Sequence, residues 1–298
     1  MGGIRLEKLR KPSVAGQFYD AGEENLKQSI EDCFLDDRGP QTLPKISQGS
    51  KKIRGLVVPH AGYIYSGAIA AHSYNLLLNN GFADTFIILG PNHTGIGPGI
   101  SVMTEGSWLT PLGNVPINEK LSKLLHKDII DKDENAHMHE HSIEVQLPFL
   151  QFSSGDKKFD FVPICMAMQD FETSSEVGKI IADSIKNIDE NVVIIASTDF
   201  SHAGFNYMSM PPEGMRVDDY ANKQDKLAID QILDMNPQGL IDTVQKNGIT
   251  MCGYGPVAAM LIATKILGVT KAELLKYGTS YEVHPGISCV GYGALAIY

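Results

Sequence analysis

Short apolar runs alternate with amphipathic segments along most of the chain, and this alternation predicts an α/β fold. Runs of aliphatic and β-branched residues bounded by Gly, Pro, Asn or Asp are typical of buried strands in a parallel sheet. Between the runs, apolar residues recur every three or four positions, as at Leu26, Ile30 and Phe34, which predicts helices with one buried face. A strand over 53–58, a helix over 66–79 and a strand over 85–89 would form one right-handed βαβ unit.

The same criteria predict further elements through to the end of the sequence. Helices are expected over 22–35, 118–126, 142–152, 173–187, 218–233 and 255–267, with another beginning at Asn236–Pro237, where Asn suits the N-cap and Pro the first helical position. Strands are expected over 159–166, 191–196, 272–277 and 289–298. The stretch 99–116 alternates short β-like pieces with turns and predicts a small antiparallel annex. No shift in composition marks a boundary, so we predict a single domain over 1–298, with a mostly parallel central sheet flanked by helices.

Composition and charge narrow the class of protein. A formal net charge of −10, from 25 basic and 35 acidic residues, argues against a nucleic-acid surface, which needs clustered Lys and Arg. The densest basic group, Lys51–Lys52 with Arg54, is interpreted as the solvated start of a strand. No run approaches the roughly 18 apolar residues of a membrane span, and residues 1–8 lack the apolar segment of a signal peptide. We therefore predict a cytoplasmic protein with no nucleic-acid or membrane partner.

The four cysteines are Cys33, Cys165, Cys252 and Cys289, and none belongs to a CxxC pair. In a reducing compartment they are expected to be free thiols.

Histidines follow three of the predicted strands within a few residues. His60 ends the segment Leu56-Val57-Val58-Pro59-His60, His93 follows the strand over 85–89, and His202 follows the strand over 191–196 by way of Asp199. Residues just beyond the carboxyl ends of parallel strands line the crevice where open α/β sheets bind ligands. The three imidazoles are therefore expected to converge on one crevice.

Other side chains near these histidines could take part in chemistry. Asp199 and His202 are close enough in sequence to form a carboxylate–imidazole pair that acts as a general acid or base, although Asp199 alone would also suit a turn cap. His141 and Glu144, three residues apart at a predicted helix start, are candidates for substrate contacts or for holding the ligands, and Tyr63 offers an aromatic wall.

Two further positions keep alternatives open. Cys252 precedes a predicted helix, where a thiolate would be stabilised, but a buried inert thiol would give the same pattern. His137 and His139 are interpreted as loop residues at the rim of the pocket.

Five motifs, taken together and in order, resemble the Memo family, also called system protein B of the AmmeMemoRadiSam group. They are PHAGYIYSG with His60, ILGPNH with His93, EHSIEVQLPF with His141, STDFSH with Asp199 and His202, and MCGYGP with Cys252. The resemblance runs from near residue 12 to the C-terminal end of the sequence. It implies a single α/β domain similar to the class III extradiol ring-cleaving dioxygenases.

Carried over by position, the resemblance implies metal ligands at His60, His93 and Cys252, with His202 in the place of the dioxygenases' acid–base histidine. The dioxygenases hold iron with two histidines and a carboxylate, whereas a thiolate stands third here. A thiolate favours iron or copper, with zinc also acceptable, and makes ordinary catechol cleavage doubtful. The resemblance also implies association with radical-SAM and AMMECR-type proteins.

Three functions follow as hypotheses. The first is a mononuclear metalloprotein acting in redox or oxygen chemistry on a small-molecule or peptide ligand, in which His202, oriented by Asp199, moves protons. The second is a binding module that keeps the pocket without turnover. The third is a hydrolase with Cys252 as nucleophile.

Overall fold

The structure, a computed structural model, describes residues 8–47 and 53–298. The predicted solvated strand start at Lys51–Lys52 and the segment 1–7 lie outside the described residues. The α-helices are α1 (Glu23–Leu35), α2 (Tyr63–Asn79), α3 (Glu119–Leu125), α4 (Asn135–Met138), α5 (Gln146–Ser154), α6 (Phe171–Lys186), α7 (Val217–Leu233), α8 (Pro237–Asn247) and α9 (Tyr254–Ile266). The strands are β1 (Leu9–Arg10), β2 (Gly55–Val58), β3 (Thr85–Pro91), β4 (Ile100–Val102), β5 (Ser107–Thr110), β6 (Gly113–Pro116), β7 (Asp131–Lys132), β8 (Asp160–Met166), β9 (Val192–Ser197), β10 (His202–Gly204), β11 (Ala272–Thr279) and β12 (Ser288–Ile297).

A large sheet forms the centre of the fold. Its strands lie in the order β10-β12-β2-β9-β3-β8-β4-β7, and β11 also pairs with β12. The four central strands β2, β9, β3 and β8 are parallel, which brings their carboxyl ends to one edge. Strands β12 and β4 pair antiparallel on either side of them. The predicted α/β class with a mostly parallel sheet is confirmed.

Alternating side chains of the sheet serve two separate cores. On β2, Leu56 and Val58 join the apolar cluster that contains α1, α2 and α5, whereas Val57 joins the cluster that contains α6 to α9. This is the period-two alternation of a strand buried on both faces. Helices therefore cover both sides of the sheet and leave its strand ends to form the site.

The annex is a three-stranded sheet in the order β1-β5-β6. Strands β5 and β6 form the antiparallel hairpin predicted within 99–116, and β1 adds to β5 in parallel. Arg10 of β1 lies over the buried Trp108 ring at 4.3 Å from its centroid. The N-terminal segment is thus tied to the body of the protein.

Two helix starts differ from the prediction by three residues or more, since α2 begins at Tyr63 rather than at Ser66 and the start of α5 is also displaced. Helix α5 begins at Gln146 rather than at Ser142, because residues 142–145 form turns in which Val145 N donates to His141 O and Gln146 N donates to Ile143 O. No helix in the described ranges is long and apolar enough to cross a bilayer.

Candidate metal centre

A cavity of about 440 Å³ opens at the carboxyl ends of the central strands. Its polar wall contains the histidines that follow the strands together with Asp199. Its aromatic wall contains Phe18, Tyr65, Tyr207 and Tyr292. The histidines that follow the strands therefore converge on one crevice, as the sequence predicts.

Three imidazoles form a compact group at this cavity. His60, His93 and His141 each place one ring nitrogen so that the three donor atoms lie within 4.8 Å of one another. His60 follows β2, His93 follows β3, and His141 lies in the turn before α5. The sequence predicts that His141 supports the metal ligands or contacts substrate, and the structure places it among the candidate ligands themselves. Its ring also packs against Phe18, at 4.7 Å between centroids.

Glu140 orients two of these histidines, a role that the sequence motifs did not indicate. Its fully buried carboxylate lies 3.0 Å from His93 Nδ1 and accepts hydrogen bonds from the backbone N–H groups of His93, His141 and Ser142. Burial alone would raise the pKa of Glu140. Its hydrogen bond and charge interaction with His93, together with the hydrogen bonds from backbone N–H groups, instead lower this pKa to about 2. The carboxylate accepts only, so His93 carries its hydrogen on Nδ1 and leaves Nε2 free.

His60 is buried and is held by two groups, one at the end of β9 and one just beyond it. Its Nδ1 lies 2.9 Å from Ser197 Oγ at the end of β9, and its backbone N–H donates to Asp199 Oδ1 at 2.8 Å. Burial lowers the pKa of His60 well below its usual value, and the charges of the neighbouring histidines lower it further. The ring is therefore neutral, as a metal ligand must be.

Cys252 adjoins the group through His60. Its Sγ lies 3.2 Å from His60 Nε2 and accepts the backbone N–H of Asp199 at 3.3 Å. The group of three mutually close donors within the described ranges does not include Cys252. Burial raises the pKa of its thiol, as does the nearby Asp199 carboxylate. Without a cation beside it, the sulfur is thus a thiol rather than a thiolate.

Asp199 and His202 both line the cavity, but no hydrogen bond joins them in the described part of the chain. Asp199 binds the backbone of His60, while His202 Nδ1 lies 3.1 Å from the carbonyl oxygens of Phe200 and Thr250. Carbonyls accept only, so Nδ1 is the donor and His202 keeps Nε2 as a proton acceptor. The predicted orientation of His202 by Asp199 is therefore replaced by orientation through two backbone carbonyls.

Glu144 and Tyr63, for which the sequence predicts either substrate contacts or support of the ligands, do not line this cavity. The buried Glu144 carboxylate pairs with Arg10 and accepts from the N-terminal segment, and Tyr63 donates to Val145 O at 2.7 Å. Both side chains therefore hold the scaffold around the site.

His137, expected at the rim, is instead fully buried in α4 against Trp108, with Nε2 3.4 Å from Ser101 Oγ. The neighbouring His139 is exposed and lies outside the cavity lining.

Comparison with known proteins agrees with the five motifs. A family model described as Memo-like protein matches residues 10–296. A MEMO1 family protein from Methanopyrus kandleri is 45% identical over 289 residues, covering 96% of this chain and 98% of that protein. The chain belongs to the Memo family. Another MEMO1 family protein, from Methanococcus maripaludis, is 47% identical over 294 residues, covering 97% of this Memo chain and 99% of the relative.

A solved structure shares the fold of this Memo protein. An uncharacterized protein from Escherichia coli K12 matches with a TM-score of 0.52 over 83% of this chain and 100% of its own. Their sequences are 14% identical, so the likeness concerns the fold alone.

Proposed function

We propose that this Memo-family protein binds one metal ion at His60, His93 and His141, with the Cys252 thiolate as a further ligand beside His60. The single observation that carries the proposal is the group of three histidine donor atoms within 4.8 Å of one another. The ion serves redox or oxygen chemistry on a small-molecule or peptide ligand held in the adjoining cavity.

The donor set suits a transition metal. Two nitrogens that each lie roughly 2.1 Å from one ion are separated by at most about 4.2 Å, so the imidazoles need only a small closing movement. Glu140 on His93 provides the carboxylate–histidine arrangement that commonly supports metal ligands. The separation of 3.2 Å between Cys252 Sγ and His60 Nε2 is also compatible with two ligands of one ion.

Nitrogen and sulfur donors favour iron or copper, and also accept zinc, over magnesium or calcium. A bound redox ion would supply electron transfer and the activation of oxygen or of a coordinated ligand. His202 Nε2 would take up or return a proton at the cavity, since Nδ1 is occupied by two carbonyls. The tyrosines of the aromatic wall would hold the apolar part of the ligand.

Two alternative functions make different predictions. A binding module without turnover would take up ligand but show no metal-dependent oxygen consumption. A hydrolase would need a thiolate–imidazolium pair at Cys252 and His60, and burial opposes the charged form of both groups. The group of three histidine donor atoms, which a cysteine hydrolase does not need, therefore favours a metal site.

Two proposals concern the cell rather than the site. We propose a cytoplasmic location and, from the family resemblance, association with radical-SAM and AMMECR-type proteins. Co-purification from cells at natural abundance, with mass spectrometry of the bound proteins, tests this association. Recovery of neither protein type would contradict it.

Metal analysis of untagged protein, purified without oxygen, tests the site. We expect about one bound ion in the wild type and strong loss in His93→Ala, while His139→Ala, an exposed histidine of a neighbouring segment, serves as the matched control. In a cobalt(II) titration, Cys252→Ser should abolish the sulfur-to-cobalt charge-transfer band, and His141→Ala should change the ligand-field bands. Undiminished metal binding by His93→Ala would refute the proposal.

Alkylation by iodoacetamide separates the metal site from the hydrolase. A ligating Cys252 should be protected by saturating metal, whereas a nucleophile should react equally fast with or without it. Equal rates, measured by mass spectrometry of the Cys252 peptide, would contradict ligation.

A further inference from the structure

We propose that Ser197, supported by Gln146, is a positioning residue that holds His60 in the tautomer with its hydrogen on Nδ1. The lone pair on Nε2 is then directed towards Cys252. The use of this lone pair rests on the proposed metal site, but the tautomer is a property of the metal-free chain and can be measured separately.

The orientation of the Gln146 side-chain amide is fixed by its neighbours. Its Nε2 lies 3.0 Å from the carbonyl oxygen of Pro59 and 2.8 Å from Ser197 Oγ, and its Oε1 lies 2.6 Å from the Tyr74 hydroxyl. The Pro59 carbonyl only accepts hydrogen bonds, so the amide nitrogen must face it. Gln146 is therefore a donor to Ser197.

The Ser197 hydroxyl has one hydrogen and two lone pairs. Its oxygen lies 2.6 Å from the carbonyl oxygen of Ser142, which only accepts, so the hydroxyl hydrogen is used there. Gln146 fills one lone pair. The other lone pair faces His60 Nδ1 at 2.9 Å, and this ring nitrogen must therefore be the donor.

The opposite tautomer would be unfavourable in this setting. It would require the Ser197 hydrogen to turn from the Ser142 carbonyl to His60 Nδ1, which breaks a hydrogen bond among fully buried groups. An unmade buried hydrogen bond of this kind typically shifts an equilibrium by about tenfold or more. The Nδ1–H form of His60 should accordingly dominate.

The neutral hydroxyl also differs from the carboxylate that holds His93. Glu140 places a negative charge beside the His93 ring, whereas Ser197 fixes the His60 ring without adding charge. Ser197 thus sets the direction of the His60 lone pair without placing a further charge beside the ring.

Nitrogen-15 NMR of ring-labelled histidines in the metal-free protein tests the tautomer. Multiple-bond proton–nitrogen correlations should show His60 with its hydrogen on Nδ1 in the wild type. Ser197→Ala should shift the population towards Nε2–H, and Ser197→Thr should restore it. Ser73→Ala is the matched control, since Ser73 is also a buried serine that donates to a carbonyl, that of Val57.

Cobalt(II) affinity provides the second measurement. It should fall about 10- to 100-fold in Ser197→Ala and stay unchanged in Ser73→Ala. A wild-type His60 found as Nε2–H would overturn the proposal without requiring any variant to fold. An unchanged tautomer in Ser197→Ala would also overturn it. If His60 shows the expected tautomers in the wild type and in Ser197→Ala but no cobalt(II) binds, the positioning role of Ser197 is supported and the proposed function is overturned instead.

Discussion

Replacement of Glu144 by Gln tests whether this carboxylate holds the scaffold or serves the site. Glu144 is fully buried and forms an ion pair with Arg10, which is also buried. It accepts further hydrogen bonds from Ser13 N at 2.8 Å, Val14 N at 3.0 Å and the Tyr19 hydroxyl at 2.6 Å. We expect Glu144→Gln to lower the free energy of unfolding strongly without a direct effect on the candidate metal ligands.

The magnitude follows from the partners that the amide cannot satisfy. Both carboxylate oxygens accept from backbone N–H groups, so the amide nitrogen must face at least one donor. Arg10 would lose its counterion while its Nε and Nη2 remain bound to the carbonyls of His137 and Glu140. Removal of one partner of a buried ion pair typically costs about 3–5 kcal/mol. Domains have total stabilities of about 5–15 kcal/mol, so the loss would be a large share of the total.

Urea-induced unfolding at neutral pH measures this loss, and metal content measured on the folded fraction separates the two roles. Glu23→Gln is the control, because Glu23 forms an exposed pair with Lys27 one helical turn away and should show no measurable change. A loss below about 1 kcal/mol in Glu144→Gln, combined with loss of metal from the folded protein, would refute the scaffold role.

Three further predictions concern stability. Burial raises the pKa of Asp225 from 3.8 to about 6. The contribution of the protonated carboxyl to the free energy of unfolding is therefore complete below pH 3.8 and is lost as the pH rises through 6. Asp225→Asn resembles the protonated acid, so its free energy of unfolding in urea should rise relative to wild type by up to about 3 kcal/mol between pH 4 and 7. A difference between the two proteins that stays constant over this pH range would contradict the prediction. Gly291→Ala would place a methyl group onto the Asp225 carboxylate and should lower the melting temperature, whereas Gly286→Ala, which faces open space, should not. Asn118→Ala should cost more than the roughly 1 kcal/mol of a lost N-cap expected for Asn236→Ala, because the buried Asn118 amide also bonds three side chains, whereas the exposed Asn236 amide bonds one. Equal losses in calorimetry would argue against a contribution from the three bonds of Asn118.

The sheet could be predicted from the sequence because its signal is local. Every residue of β3 is buried, and its middle part, 86–89, appears in the sequence as an uninterrupted apolar run. The placement of His60 and His93 follows from the same runs, since the end of a parallel strand fixes the edge at which the next residues lie. The strand pattern therefore gave both the architecture and two of the three grouped histidines.

The remaining parts of the site depend on contacts that have no local pattern. The position of His141 depends on turns that delay α5 until Gln146, and helix periodicity does not show where a helix begins. The partner of Glu144 is Arg10, which is 134 residues away. Short spacing suggested a bond between Asp199 and His202, but backbone groups satisfy both side chains instead. The role of Glu140 could not be predicted from the sequence, because it depends on the direction in which this side chain points from a loop.

The candidate centre is assembled from distant parts of the chain, and this has a consequence for biosynthesis. Strand β2, which leads to His60, pairs on one side with residues 295–297 of β12 and on the other with β9. Phe18 lies against His141, while Cys252 reaches His60 from 192 residues further along. A nascent chain still on the ribosome therefore lacks part of this candidate centre until β12 has emerged. Loading with an ion would then be a late event that only finished, folded molecules undergo.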